Sequence, residues 1–204
     1  MPLATLPLRL ILASSSQIRA NLLRNAGVPV EVFPARVDEA AILQGLQAEG
    51  SRPRDIADTL AEYKARKVGD RMPDALVLGC DQVLAFNGAV LTKPPTVDAA
   101  RTQLRSLRGT RHTLFSAAVI HHEGRAVWRH VGEVHLTLHP VSDDYLEEYL
   151  ARNWESIRHA VGSYKLEEEG VRLISAIQGD YFNVLGLPLL PLLQYLSVRG
   201  VISS

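Results

Sequence analysis

The sequence predicts an α/β protein: a mixed, twisted sheet with helices around it, in one domain of two lobes with a cleft between them. Three observations predict it. Strand–helix alternation occurs at both ends of the chain, the middle is rich in hairpins, and no repeat, low-complexity tract or linker divides the 204 residues. The chain ends belong to one lobe and the longer hairpin to the other.

Composition bounds the function. Hydrophobic residues make up 47% and charged residues 22%, as in ordinary globular proteins. Lys plus Arg and Asp plus Glu are 22 each, so the net charge is zero. This balance argues against a nucleic-acid footprint or a polybasic membrane surface, and leaves room for a locally basic pocket. A single cysteine, Cys80, excludes an internal disulfide and a Cys-based zinc site and fits a reducing compartment. The apolar start, Met1 to Ala13, lacks a basic leader region and is interrupted by Arg9. No stretch reaches the roughly 18 apolar residues of a membrane span. A cytoplasmic protein is expected. The seven histidines show no metal-ligand spacing.

Leu8–Ala13 reads as the first strand. Ser14-Ser15-Ser16 then cap a helix with Ile18, Leu22, Leu23 and Ala26 inward and Gly27 at its end. Strand, serine turn and helix, with Arg19 in the first turn, suit an anion, because free N–H groups, hydroxyls and a guanidinium converge there. A plain Ser cap with a solvated Arg fits the same residues. Val30–Phe33 is a short strand. Arg36 to Ser51 is irregular or weakly helical and holds Asp38-Glu39, an acidic pair able to serve a metal or to stand in solvent.

Pro53 to Arg71 is a helix, with Ser51 as a candidate cap. Its apolar stripe runs through Ile56, Leu60 and Val68, and the missing step is Lys64. This lysine either snorkels to solvent or points into a cleft. Ala75–Asp81, Ala-Leu-Val-Leu-Gly-Cys-Asp, is a buried strand that runs into a carboxylate. A charge there needs a partner, and strand ends of open α/β sheets are where ligands bind. Asp81 is the first candidate for chemistry; a turn cap or a structural ion pair is the alternative.

Asn87-Gly88 between two apolar runs marks a two-residue hairpin, so part of the sheet is antiparallel. Lys93 follows in a loop stiffened by Pro94-Pro95. Thr96 or Asp98 opens a helix that ends at Gly109. Arg111–His121 and Ala126–Leu138 form the longer hairpin about Glu123-Gly124. Ser142 caps a helix with Asp143 and Asp144 in its first turn. Ala160 to Gly170 is a loop of small residues, Lys165 and three acids, suited to binding or to solvent. Val171–Gln178 is a strand, Asn183–Gly186 a turn, and Pro188 to Arg199 the last helix, stopped by Gly200.

Several of these sites fall in a known order. Ala13-Ser14-Ser15-Ser16-Gln17-Ile18-Arg19 resembles the opening motif of the Maf family of nucleotide pyrophosphatases. The resemblance continues through Asp38-Glu39, Glu62-Tyr63-Lys64-Ala65, Gly79-Cys80-Asp81-Gln82, Lys93-Pro94, Gly162-Ser163-Tyr164-Lys165-Leu166-Glu167 and Gly186-Leu187-Pro188. It spans residues 8 to 199, and seven weak motifs in order are together specific. Gln17 and Thr92 depart from the usual Pro and Gly without removing a charge. The resemblance implies an elongated twisted mixed sheet like that of the inosine triphosphate pyrophosphatases, a nucleotide cleft, a homodimer and a divalent cation, Mg2+ or Mn2+. It implies hydrolysis of a nucleoside triphosphate to a monophosphate and pyrophosphate.

On this resemblance Asp81 is the catalytic base or a metal ligand, and Glu39, with or without Asp38, completes the metal site. Ser14, Arg19, Lys64, Gln82, Lys93 and Glu167 bind substrate. Cys80-Asp81-Gln82 and Lys165-Leu166-Glu167 are similar to the branch that prefers 7-methyl-GTP, whereas the pyrimidine-directed branch has Ala-Asp-Thr and a Gly-Ile-Gln-Gly run. A 7-methylguanine ring is cationic, so a carboxylate at Glu167 favours it. The alternatives are a dTTP- or UTP-directed enzyme and a weakly catalytic regulator of cell division. A Cys80 or Ser163 hydrolase lacks a Gly-x-Ser-x-Gly elbow and a histidine tied to either residue.

Overall fold

The computed structural model describes residues 8–203. Residues 1–7, within the apolar start, lie outside them. The fold is mixed α/β, with one seven-stranded sheet in the order β2-β1-β3-β5-β6-β7 and β4 on the open side of β3. The chain builds β1 (Leu10–Leu12), α1 (Gln17–Asn25), β2 (Glu31–Val32), α2 (Glu39–Ala48) and α3 (Pro53–Gly69). There follow β3 (Leu76–Phe86), β4 (Ala89–Leu91), α4 (Val97–Leu107), β5 (Arg111–His122), β6 (Arg125–Leu138) and α5 (Asp143–Ile157). After two 3-10 turns come β7 (Ile174–Gln178), the single helical turn α6 (Tyr181–Val184) and α7 (Leu189–Val198).

The sheet changes character in its middle. β1 runs parallel to β2 and to the first part of β3, with Leu12 beside Leu78. β3 is antiparallel to β4 and β5, β5 to β6, and β6 to β7. Asp81 is therefore not the end of a strand. β3 continues five residues past it, because its other edge stays paired with β5 throughout. What ends near Asp81 is the neighbour: β1 stops at Leu12, and β4 joins only from Leu84. The sheet thus has a notch in one edge, at the C-terminal end of its parallel pair, where ligands of α/β sheets are bound.

Alternation along β3 sends Leu76, Leu78, Cys80 and Leu84 into the larger core, and Val77 and Val83 towards the side covered by α3. The α3 stripe packs tightly. Ile56, Leu60 and Val68 are buried, and Ala57, Ala61 and Ala65 bring the helix close to the sheet. Gly79 is required there: a Cβ on it would stand 2.1 Å from the Ala61 carbonyl oxygen and 2.5 Å from the Ala65 nitrogen.

Several boundaries differ from the sequence reading. Residues 39–48 form a regular helix, and Asp38 is its N-cap, accepting a hydrogen bond from the Ala41 N–H. The α3 N-cap is Arg52 without a side-chain bond, so Ser51 caps nothing and Pro53 supplies the helical start. In α1 Ala20 is buried, whereas Ala26 is an exposed C-cap. Val171–Leu173 belongs to a 3-10 turn, and β7 begins at Ile174. The turn at Asn183–Gly186 contains α6. The hairpin at Asn87-Gly88 has the two positive φ values, 48° and 78°, that its sequence demands. No helix among the described residues is long and apolar enough to cross a membrane.

Candidate active site

The notch opens into a cavity of about 1060 Å3. Every predicted site residue lines it: Ser14, Arg19, Glu39, Lys64, Asp81, Gln82, Lys93 and Glu167. Asp38 does not. It faces a smaller depression of about 290 Å3 between α2 and α3, because its carboxylate is turned to the α2 backbone.

Lys64 is the centre of the charged group. Its Nζ lies 2.6 Å from Asp81 Oδ1 and 2.9 Å from Glu39 Oε1. The Lys64 and Asp81 side chains are 8% and 9% exposed and Glu39 is 46% exposed, so the lysine does not snorkel; it points into the cleft. Ile56, Leu60 and Val68 hold it there, each contributing about 1.5–3 kcal/mol by burial. Burial raises the Asp81 carboxyl above its ordinary range, against the pull of Lys64 and Arg19. Burial also opposes ionisation of Glu39, but Lys64, then Lys93 and Arg19, hold its carboxyl below the ordinary range.

Arg19 bridges the notch. Its Nε donates to the Gly186 carbonyl at 2.7 Å and its Nη1 to the Cys80 carbonyl at 3.1 Å. The Cys80 oxygen faces the edge that β1 and β4 leave open, so the guanidinium takes the place of a neighbouring strand. Arg19 also lies beside Ser14, whose Oγ accepts from the Ser16 N–H, while Ser16 caps α1. Ser16 caps the helix, as the plain reading has it, but Arg19 is held by carbonyls and not left to solvent, and the serine turn lines the cavity.

Gln82 lines the cavity, and its amide nitrogen is also engaged within the protein. Its Nε2 donates to the Asn183 carbonyl at 2.8 Å, the Val184 carbonyl at 3.0 Å and the Ser116 Oγ at 3.0 Å. The amide nitrogen is therefore committed to the protein. In the loop, Glu168 binds Ser156 and Lys165, and Glu169 binds Arg152 and Asn153. Glu167 is exposed at the cavity and has no side-chain partner among the described residues. Lys165, which belongs to the Gly162–Glu167 motif, and His159, which belongs to none, also line the cavity. Tyr164 is buried, with its hydroxyl 2.6 Å from His112 Nε2, so its ring anchors the loop.

The nucleophile alternatives lose their basis here. The Cys80 thiol is fully buried and pushed up to about 11. Ser163 Oγ is buried and donates to Gln103.

A triphosphate brings several negative charges into a cavity whose Arg19 and Lys64 already face Glu39 and Asp81. The two carboxylates around one ammonium suit a divalent ion between protein and phosphate. No group of three or more His, Cys, Asp or Glu able to hold an ion occurs among the described residues. An ion using one or two carboxylates and completing its shell with water and phosphate oxygens fits this donor set, as Mg2+ does.

The fold and cavity define a mixed α/β protein with a charged cleft that can take a small molecule. Residues 9–199 match the family model described as Maf-like protein. The chain belongs to the Maf family and is a nucleoside triphosphate pyrophosphatase, a hydrolase that releases pyrophosphate. A nucleoside triphosphate pyrophosphatase of Roseobacter denitrificans is 63% identical over 96% of this chain and 98% of its own length. One of Ruegeria sp. is 60% identical over the same shares. A 7-methyl-GTP pyrophosphatase of Rhizobium etli is 44% identical, again over 96% and 98%.

Proposed function

We propose that the enzyme hydrolyses 7-methyl-GTP, or a nucleoside triphosphate with a similarly cationic base, to the monophosphate and pyrophosphate. The observation that carries this reading is Glu167, an exposed carboxylate at the cavity with no side-chain partner among the described residues, followed in the chain by two acids, Glu168 and Glu169, that are already bound. A carboxylate near a positively charged ring gains Coulomb energy that a neutral base does not return. The relative named for 7-methyl-GTP in Rhizobium etli supports it. The relatives at 60–63% identity carry no base in their names.

In the proposed reaction water attacks the α-phosphorus and gives its proton to the Asp81 carboxylate. The bond from the α-phosphorus to the bridging oxygen breaks, and pyrophosphate leaves. Burial makes Asp81 a stronger proton acceptor than an exposed carboxylate, which suits a general base. Arg19, already fixed by two carbonyls, and Lys93 neutralise charge developing on the phosphate oxygens, and Ser14 orients them. Lys64 holds Asp81 and Glu39 in place. A divalent ion held by Glu39 and Asp81 would lower the negative charge on the triphosphate.

The test is pyrophosphate release, with Mg2+ or Mn2+, from 7-methyl-GTP, GTP, dTTP and UTP. A higher kcat/KM for 7-methyl-GTP is expected. In Glu167→Gln its advantage over GTP should fall about tenfold, the worth of one partly screened charge pair. A wild-type preference for dTTP or UTP overturns the reading.

A further inference from the structure

Gln82, Ser116 and Gly132 form one row across the sheet. Gln82 on β3 stands opposite Ser116 on β5, and Ser116 stands opposite Gly132 on β6. Residues in such register share a face. Asn183 of α6 lies across this row. Its carbonyl accepts from Ser116 Oγ at 2.6 Å and from Gln82 Nε2 at 2.8 Å. Its carboxamide occupies the space over Gly132, where a Cβ would stand 2.2–2.4 Å from the Asn183 side chain. Ser116 is fully buried and reaches no cavity surface, yet its hydroxyl also accepts from Gln82 Nε2. The next residues, Val184 and Leu185, are cavity wall, and Gly186 is the residue on which Arg19 is fixed.

We propose that Ser116 is a positioning residue for substrate selection, setting the Val184–Leu185 wall through a clamp with Gln82, Asn183 and the space over Gly132. The long Gln82 amide spans from the sheet to α6, a distance that a side chain as short as threonine does not bridge. Residue 82 then selects substrate by where it puts the wall, not by touching the base. The inference rests on the proposed enzyme's use of this cavity for the nucleotide, but not on which base is preferred.

The experiment measures Ser116→Ala and Gly132→Ala with whichever triphosphate the wild type cleaves best, and with GTP as comparator. Ser116→Ala removes a hydroxyl from the clamp. Gly132→Ala leaves every polar group and displaces Asn183. For each variant KM for the best substrate should rise about fivefold, the worth of roughly one buried hydrogen bond, with kcat within about twofold. The ratio of kcat/KM between the best substrate and GTP should fall with it. Circular dichroism and thermal melting identify the folded variants, and Gly132→Ala carries the test if Ser116→Ala does not fold. A lower Tm with KM and the selectivity ratio unchanged overturns the proposal, since a purely structural clamp would do that. A wild type that prefers dTTP defeats the 7-methyl-GTP reading and leaves this test intact.

Discussion

Lys64→Met isolates the buried charge pair on which the site is built. Methionine keeps the length and the apolar stem and loses the ammonium. In the wild type that ammonium lies 2.6 Å from Asp81 and 2.9 Å from Glu39. The Glu39 side is half exposed, so its contribution is under about 1 kcal/mol. The Asp81 side is different, because a buried carboxylate stripped of its partner costs about 3–5 kcal/mol. Uptake of a proton limits the loss. Burial already raises the Asp81 carboxyl, and losing Lys64 raises it further. A carboxyl whose folded pKa exceeds its unfolded value binds protons better in the fold. It therefore supports the fold at low pH, and that support is lost as pH rises through the folded pKa. Lys64→Met should accordingly destabilise more at about pH 8 than at about pH 5. Adding Asp81→Asn removes the stranded charge, so the double variant should regain at least about 2 kcal/mol over the sum of the two single losses. Urea denaturation of the four proteins at both pH values measures this. A Lys64→Met loss below about 1 kcal/mol at the higher pH, or strictly additive substitutions, would refute the reasoning. All three variants should lack pyrophosphate release, which separates the catalytic loss from the stability that the double variant recovers.

Gly79→Ala forces α3 away from β3, because the new methyl meets the Ala61 carbonyl at 2.1 Å. It should cost about 3 kcal/mol or more in urea denaturation, and lower kcat in the remaining folded protein by shifting Lys64; a neutral substitution would show that the close approach is slack. Cys80→Ala should keep full kcat and lose only about 1 kcal/mol of stability, since it removes one small buried group. The folded wild type should also resist iodoacetamide at neutral pH, because its thiol is pushed up to about 11; inactivation by alkylation would restore a role for the cysteine.

Much of the fold was legible because its signals are local. Asn87-Gly88 and Glu123-Gly124 need positive φ, and they have it. Ser16, Thr96 and Ser142 cap the helices they precede. The α2 helix is legible only as an irregular or weakly helical stretch, because its interior is weakly amphipathic and none of its residues is fully buried. Asp38 stays open between metal and solvent in the sequence for the same reason, since a capping carboxylate and a metal-suited one look alike until the helix behind it is known. Lys64 was legible as an anomaly on an apolar stripe, and the set of residues lining the cavity was legible through the order of motifs. His159 carried no such signal, because its place depends on the loop that Tyr164 anchors to His112.

The sequence by itself determined that Asp81 follows a buried strand, that Gly79 precedes it by two residues and that a lysine interrupts the α3 stripe. Composition and periodicity are properties of a chain read in order, so they fix which side chains face inward. Tertiary structure alone decided that β3 runs on past Asp81, since that depends on β5 pairing with one edge while β1 leaves the other open. It alone showed that the Gln82 amide nitrogen is engaged within the protein, because the carbonyls that hold it come from residues about one hundred positions later in the chain. Hydrogen bonds over that separation leave no period or spacing in a sequence, and only the folded sheet brings their ends together.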